Sequence, residues 1–568
     1  MWRDCCIICL MIIREQIKKD LVKAVKDALG PPMADAVRDV YLEHPANPEH
    51  GDYASNLALT KFEEVQNSKF KIQNYSSKLK VETPQELAEL IVNHFPEVDY
   101  LEKAEVAGPG FINFFLKKGW LQSQVGEILK AGGEYGLNKE LRMKNKGIKV
   151  QLEFISANPT GPLHAGNARG GFCGDVLANV LEKVGYRVQR EYYINDKGVQ
   201  VEKLAESVKA YYQHLQGQSL EIPEGGYAGE YVREIARKML AEGRTDFREF
   251  ALSEIMKMIK KTIARMGIKF DNFFSERSLY DTSKVSETLE LLAEQGLTYK
   301  KEGAVWIRTT QFGDDKDRVL VKSDGSMTYL VSDIAYHLDK FERRKFDRVI
   351  LFWGADHHGY VPRFMAMMEA IGHKGRAQVE LIQLLKLARG GKVIRMSKRA
   401  GEYVTVDDVL DEIGLDAARF HFLAVPLNTP MTLDLKKAKE QSEKNPVYYV
   451  QYANARMHSI LAKAQSAKLK AQSQVQSSKL SHPAGMSLIR KLIQFPEIVV
   501  DIAENHEVHR LPQYATELAD AFHKFYENCR VLSDDGDLTA ARLGLVKATK
   551  IILGETLSLM GISAPERM

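Results

Sequence analysis

The sequence predicts an α/β protein with a small α+β region first, a central parallel-sheet region next and an all-helical region last. Three observations predict this organisation. Residues 11–119 combine helical segments, one of them around 53–65, with one alternating strand at 111–116. Strands alternate with helices over 120–414, where a helix of small residues is predicted at 165–184, and helical periodicity alone continues over 415–568. Strands that alternate with helices favour a parallel sheet with right-handed crossovers, because the helices then cover both faces of the sheet.

Length and composition exclude several classes of protein. The chain has 568 residues, 45% hydrophobic and 27% charged, which is typical of a globular protein with a large core. No run of 18 apolar residues occurs, so we expect no membrane-spanning helix and no membrane partner. Five cysteines are too few for a disulfide framework, and Cys6 and Cys9 lack the second pair that a zinc site needs. We therefore expect no structural metal.

The first ten residues precede the first predicted helix, in which apolar residues recur at helical spacing from Ile12 until Gly30 ends the pattern. The short apolar run at the start has no cleavage site of small residues behind it, so a secretory signal is not indicated. We predict that Met11 is the biological start and that residues 1–10 are an upstream extension.

A first polar cluster follows a predicted strand at residues 148–154 and opens a helix. The amino end of a helix offers unpaired N–H groups and a positive dipole, which suit a phosphate. His164 and Asn167 are three residues apart and can project together, while Gly166 lets a flat ring approach the backbone. The alternative is an ordinary helix start with incidental polar residues.

A second polar cluster, Asp356-His-His358, follows a predicted strand at residues 349–354. In open parallel sheets ligands bind outside the carboxyl ends of the strands. Both polar clusters lie at predicted carboxyl ends, so we expect them to share one site.

A third feature is a basic segment at residues 390–401, where glycines bracket four cations. A flexible cationic loop can close over polyphosphate and stabilise the charge on a leaving group. The alternative is a solvated basic surface loop. Neither a Gly-x-x-x-x-Gly-Lys-Ser/Thr phosphate loop nor a His-Glu-x-x-His motif occurs, which disfavours P-loop ATPases and zinc proteases.

Residues 153–167, E-F-I-S-A-N-P-T-G-P-L-H-A-G-N, resemble the first signature of class I aminoacyl-tRNA synthetases in the form typical of arginyl-tRNA synthetases. Residues 395–399, R-M-S-K-R, are similar to the second signature, K-M-S-K-S. Further stretches that resemble this family are residues 50–53, 108–113, 324–329, 333–337, 354–358, 415–419 and 563–568. The resemblance covers almost the whole chain from Met11.

The resemblance implies a Rossmann-like catalytic domain with a helical insertion at 120–414, between a tRNA-contacting domain at 11–119 and a helical anticodon-binding domain at 415–568. It implies that ATP, L-arginine and tRNA(Arg) give arginyl-tRNA, AMP and diphosphate through an arginyl-adenylate, with Mg²⁺ accompanying ATP. It further implies a cytoplasmic monomer. Two alternatives stay open: a tRNA-independent adenylyltransferase of the same superfamily and an inactive RNA-binding paralogue.

The resemblance also implies residue roles. Catalysis would fall to His164, Asn167 and Lys398, with Asn167 in place of the usual second histidine, and ATP would also contact Gly166, Arg395 and Met396. Because a guanidinium pairs well with carboxylates, the arginine-binding candidates include acidic residues. These candidates are Glu153, Ser156, Asn158, Tyr329, Asp333 and Asp356. The tRNA-binding candidates are Asn113, Tyr449, Tyr452, Tyr526 and Arg530.

The aromatic tRNA candidates have a competing explanation. Tyrosines beside cations suit unstacked RNA bases, but aromatic residues at helical spacing are also common in cores.

Overall fold

The computed structural model describes residues 12–31, 33, 37, 40–67, 81–137, 139–394, 403–466 and 477–568. The amino-terminal region is a small α+β unit with an antiparallel sheet in the order β1–β3–β2. Its elements are α1 (Ile13–Leu29), β1 (Tyr53–Ser55), α2 (Leu57–Asn67), α3 (Pro84–Asn93), β2 (Leu101–Ala107) and β3 (Phe111–Leu116). The predicted strand at 111–116 is confirmed. The prediction of a helix from Tyr53 is wrong at its start, because Tyr53–Ser55 pairs with β3.

The central region is built on a five-stranded parallel sheet in the order β11–β10–β4–β5–β6. Its first half comprises α4 (Lys118–Ala131), α5 (Lys139–Asn145), β4 (Lys149–Glu153), α6 (Ala165–Lys183), β5 (Arg187–Ile194), α7 (Val199–Leu215), α8 (Glu230–Ala241), α9 (Phe247–Arg265) and β6 (Asn272–Ser275). The chain moves outward from β4 on one side and later returns to place β10 on the other. The gap between β4 and β10 is therefore the switch point where parallel sheets bind ligands.

The second half of the central region adds two small sheets beside the large one. Its elements are α10 (Arg277–Asp281), α11 (Lys284–Glu294), β7 (Thr298–Lys301), β8 (Ala304–Ile307), β9 (Arg318–Val321), α12 (Tyr329–Leu338), β10 (Arg348–Gly354), α13 (Val361–Ala370), β11 (Ala377–Ile382), β12 (Leu385–Arg389), β13 (Lys392–Val393), α14 (Val406–Ile413), α15 (Leu415–Leu423) and β14 (Met431–Asp434). Strands β7–β9 form an antiparallel sheet, and β12 pairs with β13 and β14. The prediction of helix alone from Leu415 is wrong at β14, which pairs in parallel with β12.

Helix α6 packs unusually close to the central sheet because small residues line it. A Cβ added at Gly174 would lie 2.5 Å from the Phe154 ring, and one at Gly170 would lie 2.4 Å from Ile382. These contacts leave no space for a side chain at either position. The run of small residues that predicts α6 is therefore also what lets it approach the sheet.

The carboxyl-terminal region is a helical bundle, as predicted. Its helices are α16 (Leu435–Ala438), α17 (Pro446–Ser466), α18 (Pro483–Ile493), α19 (Phe495–Asn505), α20 (Arg510–Asn528) and α21 (Gly536–Met560). The amino-terminal region docks on this bundle through a buried carboxylate, since the Tyr53 hydroxyl donates to Glu497 at 2.7 Å. In the described part of the chain, no helix combines the length and apolar character needed to cross a bilayer.

Candidate active site

At the carboxyl edge of the central sheet, α12 joins β4 to the segment that follows β10. That the two predicted polar clusters share one site stays a prediction. Strands β4 and β10 are hydrogen-bonded neighbours, and α12 connects the residues that follow both strands. From α12, the Tyr336 hydroxyl donates to Glu153 at the end of β4 over 2.8 Å. The hydroxyl of Tyr360, which follows β10, donates to Asp333 on α12 over 2.6 Å. One site thus draws side chains from three separate parts of the sequence.

The amino end of α6 is organised by His164 and Asn167. His164 is the N-cap residue, and its backbone N–H donates to Asn167 Oδ1 at 3.0 Å. The His164 ring lies over Gly166, where an added Cβ would be 3.0 Å from ring atoms Cε1 and Nδ1. Gly166 therefore accommodates the ring of its own neighbour. The next N–H, that of Ala165, donates to the Val404 carbonyl at 2.9 Å.

Backbone contacts hold the described residues at the two ends of the basic segment. At its first end, Gly390 and Gly391 form the β12–β13 turn with positive φ angles of 61° and 81°, and both N–H groups donate to Asp434. Beyond its other end, Thr405 forms an antiparallel bridge with His164 at the helix start. The predicted ATP contacts Arg395, Met396 and Lys398 lie outside the described residues.

The backbone between β4 and α6 adopts a rare conformation. Ile155 and Ser156 have φ angles of 65° and 37°, a region that β-branched residues in particular avoid. Such strain persists only where surrounding contacts enforce it, and it often marks functional sites. Here the Tyr193 N–H donates to Ser156 Oγ at 3.0 Å, and exposed Asn158 donates to Gln200 at 2.8 Å.

Two further carboxylates, Glu153 and Glu276, lie near Asp333, and we call this group the acidic pocket. Desolvation, together with the nearby carboxylates of Glu276 and Glu153, raises the pKa of Asp333 to about 7. Desolvation also raises the pKa of Glu276. Tyr329, one turn before Asp333 as the sequence predicts, is 62% exposed, and its hydroxyl accepts from Arg363 at 3.1 Å. A cation that entered this pocket would relieve the repulsion between the carboxylates.

Behind the pocket lies a buried ionic network. Lys340 has no exposed surface, and its ammonium donates to Glu153 at 2.7 Å. Burial opposes ionisation of Glu191, but Arg344, Lys340 and Tyr336 together hold its pKa below the ordinary value. Burial lowers the pKa of Lys340. The carboxylate of Glu153 is thereby fixed between Tyr336 and Lys340.

Asp356 is placed differently from the other arginine-binding candidates. Its side chain is 83% exposed, and its nearest charged neighbour is His357 at 3.7 Å. Tyr360, four residues later, is the residue of this segment that reaches Asp333. The role of Asp356 stays a prediction.

Sequence reasoning missed Tyr360, Glu276 and Lys340. A signal existed for Lys340, because residues 333, 336 and 340 recur at helical spacing and share one face of α12 and the π-helical turn Asp339–Arg343 that follows. No local pattern marks Tyr360 or Glu276, whose partners come from distant segments.

An aromatic face joins α17 and α20 in the bundle. The Arg456 guanidinium lies between the rings of Tyr452 and Tyr526, at 4.9 and 5.0 Å from their centroids. Tyr449 contacts the His523 ring, with centroids 4.7 Å apart. The structure thus brings three predicted tyrosines together and adds Arg456 and His523, which the sequence analysis missed.

The two other predicted tRNA contacts lie elsewhere. Arg530 is exposed and follows the end of α20 rather than lying on the helix. Asn113 is only 4% exposed in the centre strand of the amino-terminal sheet. This burial argues against direct contact between Asn113 and a macromolecule.

Metal-binding side chains do not cluster in the described ranges of the chain. Within those ranges, no group of three or more His, Cys, Asp or Glu side chains could hold a metal ion. The two cysteines in those ranges, Cys173 and Cys529, are both buried, and neither forms a disulfide.

The parallel sheet, with its histidine-capped helix at the switch point, is the catalytic domain of a class I aminoacyl-tRNA synthetase, since the model of that domain matches residues 124–424. Three family models match the chain. They are the arginyl-tRNA synthetase N-terminal domain at residues 12–116, the catalytic domain of class I (R) tRNA synthetases at 124–424 and the DALR anticodon-binding domain at 450–568. The chain belongs to the arginyl-tRNA synthetase family.

Similar proteins agree with this assignment. The chain is 42% identical to the arginine–tRNA ligase of Bacillus subtilis, with 98% of this chain and 100% of the relative covered. It is also 42% identical to the arginine–tRNA ligase of Heliobacterium modesticaldum, covering 98% and 99%. The solved arginyl-tRNA synthetase of Thermus thermophilus has the same fold, with a TM-score of 0.77 over 98% of this chain and 100% of that one at 20% identity.

Proposed function

We propose that the chain attaches L-arginine to tRNA(Arg), converting ATP, L-arginine and tRNA(Arg) to L-arginyl-tRNA(Arg), AMP and diphosphate. The observation that carries this proposal is the acidic pocket around Asp333 at the same sheet edge as the amino end of α6. The pocket suits a guanidinium, and the helix start suits a phosphate. The two substrates can therefore be held side by side.

The proposed reaction has two steps. The arginine carboxylate attacks the α-phosphorus of ATP, so that a carboxylate–phosphorus bond forms while the bond to diphosphate breaks. A ribose hydroxyl at the tRNA end then attacks the arginyl carbonyl and releases AMP. No covalent enzyme intermediate is needed, and catalysis consists of positioning and electrostatic stabilisation.

The proposed residue roles follow this geometry. His164 and Asn167 contact the ATP phosphates at the start of α6, and Lys398 stabilises the leaving diphosphate. Asp333 and Tyr329 bind the substrate side chain. The loop after β4 brings Ser156 and Asn158 to the α-amino end of the arginine substrate. Glu153 supports this loop from within the buried ionic network.

In the proposed complex the aromatic face of Tyr452, Tyr526 and Arg456 binds unstacked bases of the anticodon loop. Bases stack on such platforms with about 1–3 kcal/mol each. Mg²⁺ accompanies ATP as the counter-ion of its phosphates. We further propose that the domain boundaries lie near residues 119 and 414. We propose a monomer, since one chain carries both the substrate pocket and the RNA-binding face. We also propose a cytoplasmic location, where tRNA and ATP are both present.

The deciding test is ATP–pyrophosphate exchange and tRNA charging with purified protein. We expect arginine-dependent exchange and charging, and none with citrulline, which has arginine's shape without its charge. ATP–pyrophosphate exchange in the absence of tRNA, together with a failure to charge tRNA, would favour a tRNA-independent adenylyltransferase. Binding of tRNA without exchange or charging would favour an inactive paralogue.

A further inference from the structure

Arg419 is a buried arginine that joins three separate parts of the molecule. It lies on α15, is 1% exposed, and belongs to the stretch 415–419 to which the proposed reaction gives no role. Its guanidinium donates to the carbonyl of Met266 at the end of α9 (2.8 Å) and to that of Met560 at the end of α21 (3.0 Å). It also donates to Asp175 on α6 at 2.9 Å.

The two helix ends are shaped to receive this cation. Gly561 follows α21 with φ 65°, and a Cβ there would lie 2.4 Å from the Arg419 guanidinium. Helix carboxyl ends carry a partial negative charge, so two helix dipoles and the Asp175 carboxylate balance the positive charge of Arg419. A planar five-donor fork can satisfy all three at once, which lysine cannot do.

Asp175 is the first of three polar residues on one face of α6, and it is linked to the end of α21 through Arg419. The other two, Asn179 and Lys183, follow at intervals of four residues and therefore share that face. Asn179 donates to the carbonyl of Leu559 at 2.9 Å, and Lys183 pairs with Glu555 at 2.7 Å. We call Asp175, Asn179 and Lys183 the α6 stripe.

Helix α6 thus connects two ends of the enzyme. Its amino end is the proposed phosphate site at His164, and its carboxyl half is fixed through the α6 stripe to the bundle that carries the aromatic face. A helix of 19 residues spans about 28 Å and moves as a rigid element. A change in how the bundle packs against α6 through α21 would therefore alter the position of His164 and Asn167.

We propose that the α6 stripe and Arg419 are positioning elements that set the phosphate site according to the state of the tRNA-binding bundle. None of these residues touches a substrate; they act through α6. This inference rests on the proposed binding of tRNA by the bundle and names the contacts through which that binding affects adenylate formation. The alternative is a merely structural role, in which the contacts stabilise the fold and leave the reaction unchanged.

The test uses the full chain and substitutes the half-buried members of the α6 stripe, Lys183→Met and Asn179→Ala. Three quantities are measured: the single-turnover rate of arginyl-adenylate formation with saturating tRNA, the dissociation constant for tRNA and the thermal unfolding midpoint. The matched control is Lys491→Met, which breaks a pair of similar exposure, Lys491 with Glu517 at 2.9 Å, inside the bundle and away from α6.

We expect the two stripe variants to slow adenylate formation about fivefold or more, an effect within the ordinary range of coupling energies. The dissociation constant for tRNA should stay within about twofold of the wild-type value. The control should lose similar stability and no rate. The exchanged pair Lys183→Glu with Glu555→Lys should restore part of the rate, because it restores the ion pair but not the hydrogen bond from Lys183 to the Gly133 carbonyl. If Arg419→Met folds, it should act in the same direction and more strongly.

Wild-type rates in both stripe variants would overturn the inference, as would an equal loss of rate in the Lys491→Met control. Failure of the proposed function itself has a different signature. The unaltered protein would then form no arginyl-adenylate, or the Tyr526→Ala variant would bind tRNA as tightly as the unaltered protein does. Either result would remove this inference as well.

Discussion

Asp333 is a carboxylate whose charge depends on what else occupies its pocket. Desolvation and the facing carboxylates raise its pKa to about 7, and the hydrogen bond from Tyr360 opposes that shift. A bound guanidinium would stabilise the charged form and lower the pKa again. Binding of the substrate cation and loss of the Asp333 proton are therefore linked.

This linkage predicts the pH dependence of arginine binding. Above pH 7 the carboxylate is already charged and affinity is constant; below pH 7 protonation competes with arginine. One pH unit below the pKa, about one molecule in ten is charged, so the dissociation constant should rise about tenfold. Calorimetric titration with arginine between about pH 5.5 and 8.5 measures this. An affinity that stays flat down to the lower limit would contradict the linkage.

Asp333→Asn removes the charge while keeping the shape. A buried charge that loses its partner typically costs about 3–5 kcal/mol, so kcat/KM for arginine should fall on the order of a hundredfold or more. The KM for ATP should change little, and the pH dependence of arginine binding should weaken, with Glu276 left as the other carboxyl group of raised pKa. Steady-state exchange kinetics at limiting arginine measure the first effect. Asp281→Asn, an exposed carboxylate on neighbouring α10, serves as control.

From the sequence alone, site residues could be related to one another only where they lie close together in the chain. Tyr329 and Asp333 could be placed one turn apart because helical periodicity fixes their relation. Tyr360 and Glu276 could not be found, since their proximity to Asp333 arises only when β10 and β6 take their places in the sheet. Contacts between distant segments are set by sheet order, which no local pattern encodes.

At the scale of single elements, the start of α6 combines a structural and a chemical role. Asn167 Oδ1 accepts the His164 N–H, and losing such a cap costs about 1 kcal/mol. Asn167→Ala should therefore lower the free energy of unfolding by about that amount, whereas Asn167→Asp keeps the acceptor and the stability. Both variants lose the amide donor, and Asp adds a negative charge near phosphate, so adenylate formation should be slowest with Asp. Equal rates in all three proteins would limit Asn167 to capping.

The basic segment leads to a prediction about Lys398. We expect Lys398→Ala to slow adenylate formation about a hundredfold while tRNA affinity is nearly unchanged, because a preorganised donor to developing charge is worth roughly 2.7–4 kcal/mol. Arg395 and Arg399 can compensate in part, which favours the lower figure. A solvated surface lysine would instead change the free energy by no more than about 0.5 kcal/mol. Single-turnover adenylate formation decides, with Lys386→Ala, an exposed lysine on β12 outside the basic segment, as control. A rate within about threefold of wild type would exclude Lys398 from catalysis.

Elements with strong internal periodicity were predictable and short pairing strands were not. The strand at 111–116 and the small-residue helix from Ala165 follow directly from their patterns. Strands β1 and β14 have three and four residues, too few for an alternation to emerge, and each exists because a neighbouring strand is available. The sequence around Tyr53 and Met431 is compatible with helix until that pairing is known.

At the scale of the whole molecule, α1 ties the amino-terminal region to the bundle. Ile13 and Ile17 on α1 are buried, and Arg14 donates to Asp501 of α19 at 3.0 Å. The pair lies beside the contact between Tyr53 and Glu497. The packing of α1 therefore helps to set the distance between the two regions proposed to contact tRNA.

This arrangement predicts where the chain can be shortened. A protein that begins at Met11 keeps every residue of α1 and should fold and charge tRNA like the full chain. One that begins at Asp20 loses Ile13, Arg14 and Ile17; burying one such aliphatic side chain alone contributes about 1.5–3 kcal/mol, so stability and tRNA affinity should both fall. Thermal unfolding and charging assays on the two proteins compare them directly. Loss of activity in the Met11 protein, with an unchanged unfolding midpoint, would show that residues 1–10 have a function of their own.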